Sequence, residues 1–198
     1  MKKKELTANQ LLESAFELFA KHGIEKTSLA MIANEVGITK PSIYYHFSSK
    51  EVLVQRVFDH IFSDYKFAHY FPIEQFHAHN FGELLYQGGL RMIPEPHEEN
   101  YAALRLVNEF MLSAGRQENY AQRLIHMQQE FLDGFHELLQ KGANLGVVSS
   151  THLEPKAHML ALVIDNITTY MMMQLELNYE QIWQEAVNHV LLSGRDQR

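Results

Sequence analysis

The sequence predicts an all-α chain of about nine helices, and three observations carry that prediction. Apolar residues recur at helical spacing along nearly the whole chain, as in Leu11, Leu12, Ala15, Phe16, Leu18 and Phe19. The helical stretches stop at glycines and prolines, among them Gly23, Gly37, Pro72 and Pro94. No run alternates apolar and polar residues as a half-buried strand must. The chain divides into a three-helix head, residues 1–48, and a larger helical body, residues 49–198.

Lys2, Lys3 and Lys4 open the chain as a short basic arm, read as a solubilising tail or a phosphate-touching one. The first helix covers about residues 8–22 and stops at Gly23. Ser28 caps the second helix, with Thr27 before it. Leu29, Ile32, Ala33 and Val36 give that helix one apolar face, and Gly37 ends it by accepting the left-handed conformation. Thr39 caps the third helix, and Pro41 sits in its first turn, where a missing amide hydrogen costs little. Ile43 and Phe47 are its buried side. Lys40, Ser42, Tyr44, Tyr45 and His46 form the other side, with Tyr44 alternatively a lid on the small core. Two short helices meeting at such a corner, with a polar, aromatic and cationic outer face, suit a DNA major groove.

The body begins with a fourth helix, residues 49–70, capped by Ser49 and carrying Lys50 and Glu51 in its first turn. Pro72 ends it. The fifth helix is expected over 79–92, the sixth over 98–114, and the seventh over 118–143. The eighth is expected over 155–175 and the ninth over 179–192, with 193–198 a frayed tail. The eighth is apolar around most of its circumference, from Met159 to Met172, so more than one side must be covered.

Composition bounds the function. There are no cysteines, which excludes disulfides and thiolate metal sites and fits a reducing cytoplasm. No apolar run approaches a membrane span. The net charge of -7 is unevenly spread: residues 1–56 hold 8 Lys/Arg against 6 Asp/Glu, and residues 57–198 hold 9 against 18. A mildly basic end on an acidic body orients a chain on a polyanion.

The order Thr-Ser, Ile32-Ala33, Val36-Gly37-Ile38-Thr39-Lys40, Tyr44-Tyr45-His46-Phe47 and Lys50-Glu51-x-Leu53 resembles the N-terminal domain of TetR-family repressors, above all the multidrug-binding branch. With the preceding helix, the resemblance covers residues 8–58. Pro41 departs from it, since the family often has glycine or another small residue there. The resemblance implies a double-stranded DNA operator read by Thr27, Ser28, Thr39, Lys40, Pro41, Ser42, Tyr44, Tyr45, His46 and Lys50. It also implies a homodimer through the last two helices and a small, largely apolar effector held in the body. No cofactor is implied.

Aromatics and methionines spread over several body helices suit an adaptable apolar pocket, although a packed core has the same composition. The candidate ligand residues are Phe62, Tyr65, Leu85, Arg105, Glu109, Phe110, Met127, Phe131, Asn166 and Tyr170. Arg105, Asn108 and Glu109, like Asp165, Asn166 and Thr169, are polar groups on apolar helices. They need partners in each other, across a dimer, or in a ligand. The fourth helix is expected to carry the signal between pocket and head.

Two other classes compete. Twelve histidines, with His77 and His79 two apart, raise a metal-responsive regulator. A small helical enzyme finds no Gly-x-Ser-x-Gly elbow, phosphate loop or His-Glu-x-x-His to support it.

Overall fold

The structure is a computed structural model and describes residues 2–63, 65–95, 97–114 and 118–192. The expected tail, and the stop near Gly115, lie outside these residues. Among the described residues ten α-helices follow one another: α1 Lys2–His22, α2 Leu29–Glu35, α3 Lys40–Ile43, α4 Lys50–Ser63, α5 Phe67–Tyr70, α6 Phe81–Leu90, α7 Glu98–Ala114, α8 Glu118–Asn144, α9 Leu153–Met172 and α10 Tyr179–Val190. The all-α prediction holds. Extended pairing among the described residues is limited to one bridge between Val148 and Leu191, which ties the α8–α9 loop to the end of α10.

The backbone of the Lys2–Lys4 arm is helical and continuous with α1. The fourth helix is shorter than expected. It ends at Ser63, the backbone of Lys66 is extended, and the separate α5 follows. Packing explains the break. A single helix to Tyr70 would carry Phe67 and Phe71 past the body. Instead Phe67 packs edge-on against Phe131 and Phe135, and Phe71 lies 4.9 Å from Phe135. Glu130 of α8 accepts the otherwise unpaired Phe67 N–H at 3.0 Å, capping α5 from outside.

Two apolar clusters hold the subunit. One contains Phe67, Phe71, Phe76, Phe81, Phe135 and Trp183 and fills the bundle of α5, α6, α8, α9 and α10. Trp183 is fully buried and donates its indole N–H to the Tyr86 carbonyl at 2.9 Å. It lies against Gly89, where a Cβ would overlap its ring; Gly134 is covered in the same way by Phe67. The other cluster contains Leu11, Ala15, Phe19, Ile32, Ile43 and Phe47 of the head. It continues through Leu53 and Phe58 of α4 to Leu106, Phe110, Tyr120 and Leu124 of α7 and α8. Packing therefore does not break at the expected 48/49 boundary.

Candidate nucleic-acid interface and ligand cavities

The head turns its corner by local chemistry. Ser28 Oγ accepts the Met31 N–H at 3.2 Å and starts α2. At its end Gly37 adopts φ +72°, the Gly37 N–H reaches Asn34 O at 3.1 Å, and the Ile38 N–H reaches Ala33 O at 2.8 Å. This paired closure satisfies the last carbonyls of α2 and drives Ile38 back toward the core. Thr39 caps α3 and shares a 2.8 Å hydrogen bond with Ser42. Past Ile43, turn bonds from Tyr45 N–H to Ser42 O and from His46 N–H to Ile43 O carry the helical course on to Phe47.

That corner presents one outer face. Lys40, Pro41 and Ser42 are exposed on it. Tyr44 is 49% and Tyr45 70% exposed, so Tyr44 does not serve as a core lid. His46 is half-buried, with its ring edge-on to Tyr45 at 5.5 Å and its covered Nδ1 without a hydrogen-bond partner. Lys50 donates to the Glu25 carbonyl at 3.2 Å, which ties α4 to the α1–α2 loop. Thr27 is the member of the expected set that leaves this face. It is fully buried, and its hydroxyl points at the Leu18 and Gly23 carbonyls, 3.1 and 2.9 Å away. Its role is to lock α1 to the turn, and a phosphate cannot reach it.

The structure scatters the ten candidate ligand residues. Phe62, Tyr65 and Met127 line one cleft of about 600 Å³ between α4 and α8, with Phe58, Lys66 and Arg123 at its sides. Phe131 stacks on Tyr65 at 4.8 Å. Phe110 and Leu85 are buried in different clusters and line none of this space. Arg105 is exposed and ion-paired with Glu98 at 2.7 Å, not with Glu109. Glu109 instead accepts the Ile24 N–H of the head at 3.4 Å. Asn166 and Tyr170 are exposed on α9, where the Asn166 amide donates to Leu162 O.

Asp165 was grouped with the polar interruptions of this helix rather than with the ligand residues, and it has the more pointed environment. With Asn108, Thr168 and Thr169 it lines a second space of about 110 Å³ between α7 and α9. Burial raises its carboxyl above the usual range, and a Gln128 hydrogen bond offsets part of that. Tyr65 is pushed up by its own burial and then by the nearby Asp165 charge. Tyr65 thus lines the larger cleft and senses the Asp165 charge across the body. The sequence signal was an acid among apolar neighbours; nothing in it showed the absence of a basic partner.

His77 and His79 stack at 5.8 Å in the exposed loop before α6. Among the described residues, no three metal-ligating side chains come together, and no helix is long and apolar enough to cross a membrane.

Residues 11–57 match the family model for bacterial regulatory proteins of the tetR family. The regulator TtgR of Pseudomonas putida is 43% identical over 53 residues, which are 27% of this chain and 25% of that protein. The chain therefore matches only about a quarter of the length of such relatives. The fold extends further. A TetR transcription regulator from Haloarcula marismortui superposes with a TM-score of 0.78 at 17% identity, covering 95% of this chain and 100% of its own. SmeT of Stenotrophomonas maltophilia, in its triclosan complex, superposes at 0.72 with 16% identity, covering 96% and 93%. The match lies over the capped corner and its exposed face, and the shared fold over the whole helical subunit: residues 11–57 carry a TetR-type DNA-binding domain, on a body with the fold of solved TetR regulators.

Proposed function

We propose that the chain is a transcriptional repressor that binds a palindromic operator as a homodimer and leaves it when a small, largely apolar effector enters the body. The observation that carries this is the exposed face of α3. Lys40 and the capping hydroxyls meet phosphates, while the exposed Tyr44 and Tyr45 rings reach base edges and sugars, with His46 packed edge-on against Tyr45. The same reading places the protein in the cytoplasm and assigns it no catalysis.

The dimer uses α9 and α10. Leu162 is 59% exposed, and Asn166, Tyr170 and Met173 continue its face at helical spacing. Val187 of α10 is 1% exposed inside the subunit, so the face is read from Leu162. Two-fold pairing presents two α3 helices to half-sites about 34–36 Å apart or a multiple of that.

Effector entry beside Phe62 and Tyr65 moves the end of α4, and the Glu109–Ile24 contact gives α7 a second hold on the head. A ligand that favours the DNA-incompetent arrangement must itself be weakened by DNA to the same degree.

The test is selection of bound DNA fragments by the purified protein, then titration of the selected site. Tyr45→Ala weakens the selected site more than random DNA, while Lys40→Ala weakens both and reduces the salt slope by about one. Unaltered binding in both folded variants refutes the assignment.

A further inference from the structure

The cleft between α4 and α8 carries a charge that runs against the body around it. Residues 57–198 hold 9 Lys/Arg against 18 Asp/Glu. Among the described residues, this cleft is lined by Lys66 and Arg123 against one acid, Glu130. Glu130 is already engaged, since its Oε1 accepts the Phe67 N–H at 3.0 Å. Between these charges lie Phe62, Tyr65 and Met127, an apolar floor. The adjoining groove beyond Phe67 has the opposite character, with Glu74, Asp133 and Glu137 on its lining against Lys141. An acidic head group is therefore attracted to the first space and repelled from the second.

Arg123 is at once a wall of that cleft and a fastening of α4. Its guanidinium is ion-paired with Asp59 of α4 and lies over the Phe58 ring, 5.3 Å from the centroid. Phe58 is held in turn by the rings of Phe62, Phe110 and Tyr120. The Arg123 and Asp59 side chains keep 47% and 29% of their surface in solvent. An ion pair so exposed is weakly held, and its partners can be exchanged. A guanidinium receives any carboxylate through the same planar fork, so a second carboxylate entering the cleft competes with Asp59 directly. The Phe58 face keeps the cation in place during the exchange.

We propose that this cleft takes an amphipathic organic anion whose carboxylate replaces Asp59 on Arg123, with its apolar part against Phe62, Tyr65 and Met127. This rests on the effector-responsive reading above and adds the charge class of the effector and the contact it breaks. A space of about 600 Å³ is of the size that holds small organic molecules. Loss of the Arg123–Asp59 pair unfastens α4 from α8, while Leu53, Val57 and Phe58 still seat α4 in the cluster it shares with the head. The end of α4 that meets the effector is then free to shift, and the head shifts with it. One consequence sets this arrangement apart from a merely structural ion pair. Asp59 and the effector compete for one cation, so removing Asp59 tightens the effector.

The experiment uses two probes of one shape, biphenyl-4-carboxylate and its neutral counterpart biphenyl-4-carboxamide. Each is titrated by calorimetry into the full-length wild type, Arg123→Gln and Asp59→Asn, with circular dichroism as the check on folding. The wild type is expected to prefer the carboxylate by about tenfold or more, and Arg123→Gln to lose that preference. Asp59→Asn is expected to bind the carboxylate about threefold or more tighter than the wild type does. Equal binding of the two probes by the wild type, or no binding of the carboxylate, overturns the inference without recourse to either variant. So does a preference that survives in folded Arg123→Gln, or a carboxylate affinity that is unchanged or weakened in folded Asp59→Asn. A parallel screen for release of the selected operator separates this from the broader reading. Release by neutral or cationic compounds alone leaves an effector-responsive repressor standing and removes the anion; release by no compound removes both.

Discussion

Asp165 and Thr27 illustrate how much a single side chain discloses before its surroundings are known. Burial raises the Asp165 carboxyl, so between the ordinary carboxylate range and its raised value the folded protein binds more protons than the unfolded chain. Stability therefore falls as pH rises through that window, and above it the penalty is complete. Asp165→Asn should accordingly unfold at a higher temperature than the wild type at pH 7, with the gap closing toward pH 4. Calorimetric scans at the two pH values check this. Thr27→Val should lower stability by about 1 kcal/mol in denaturant titrations, because a buried hydroxyl bond is lost. Operator affinity of the folded fraction should not change. A threonine beside a helix start reads in sequence as a phosphate ligand, and only its neighbours turn it inward. Ser28 and Thr39 were legible because a cap's partner is three residues away.

At the scale of elements, α2 and α3 could be read because their starts, stops and apolar faces are local. The start of α7 at Glu98 was legible for the same reason, since a proline pair precedes it. The division of α4 from α5 was not legible. Nothing between Phe62 and Tyr70 forbids helix, and the break is made by distant partners, Glu130 and the rings of Phe131 and Phe135. Glycines separate the two kinds of constraint. Gly37→Ala meets no atom within 4 Å and should cost about 1–2 kcal/mol through backbone strain alone. Gly89→Ala drives a methyl into the Trp183 ring and should cost about 1–3 kcal/mol or more by overpacking. Chemical denaturation of the pair checks the order, and only Gly89→Ala should alter Trp183 fluorescence.

At the scale of the molecule, assembly and communication depend on surfaces that periodicity shows only in outline. The eighth predicted helix had too much apolar surface for one face, and α9 uses it twice: Leu160 and Ile164 inside the subunit, Leu162 outside. Leu162→Glu should give a folded monomer by sedimentation and abolish tight operator binding, whereas a charge at Val187 should unfold the subunit. Communication was expected through α4 alone. Glu109 adds α7, an arrangement invisible in sequence because Ile24 lies 85 positions away. Glu109→Ala should leave effector affinity unchanged in the free protein while reducing the difference made by saturating operator, as titrations with and without DNA would register.

The apolar cluster that runs from Leu11 through Phe58 to Phe110 and Leu124 bears on how such a protein can be rebuilt. A segment cut after residue 48 leaves behind Leu53, Val57, Phe58 and the α7 and α8 side chains that complete its interior. Excised, it should give the circular dichroism of a largely unstructured peptide. Fused to a foreign body, it would meet a socket shaped for another chain. New DNA specificity is better transplanted as a coat of paint than as a block: replacing Lys40, Ser42, Tyr44, Tyr45 and His46 changes what the head reads and leaves its foundations in place.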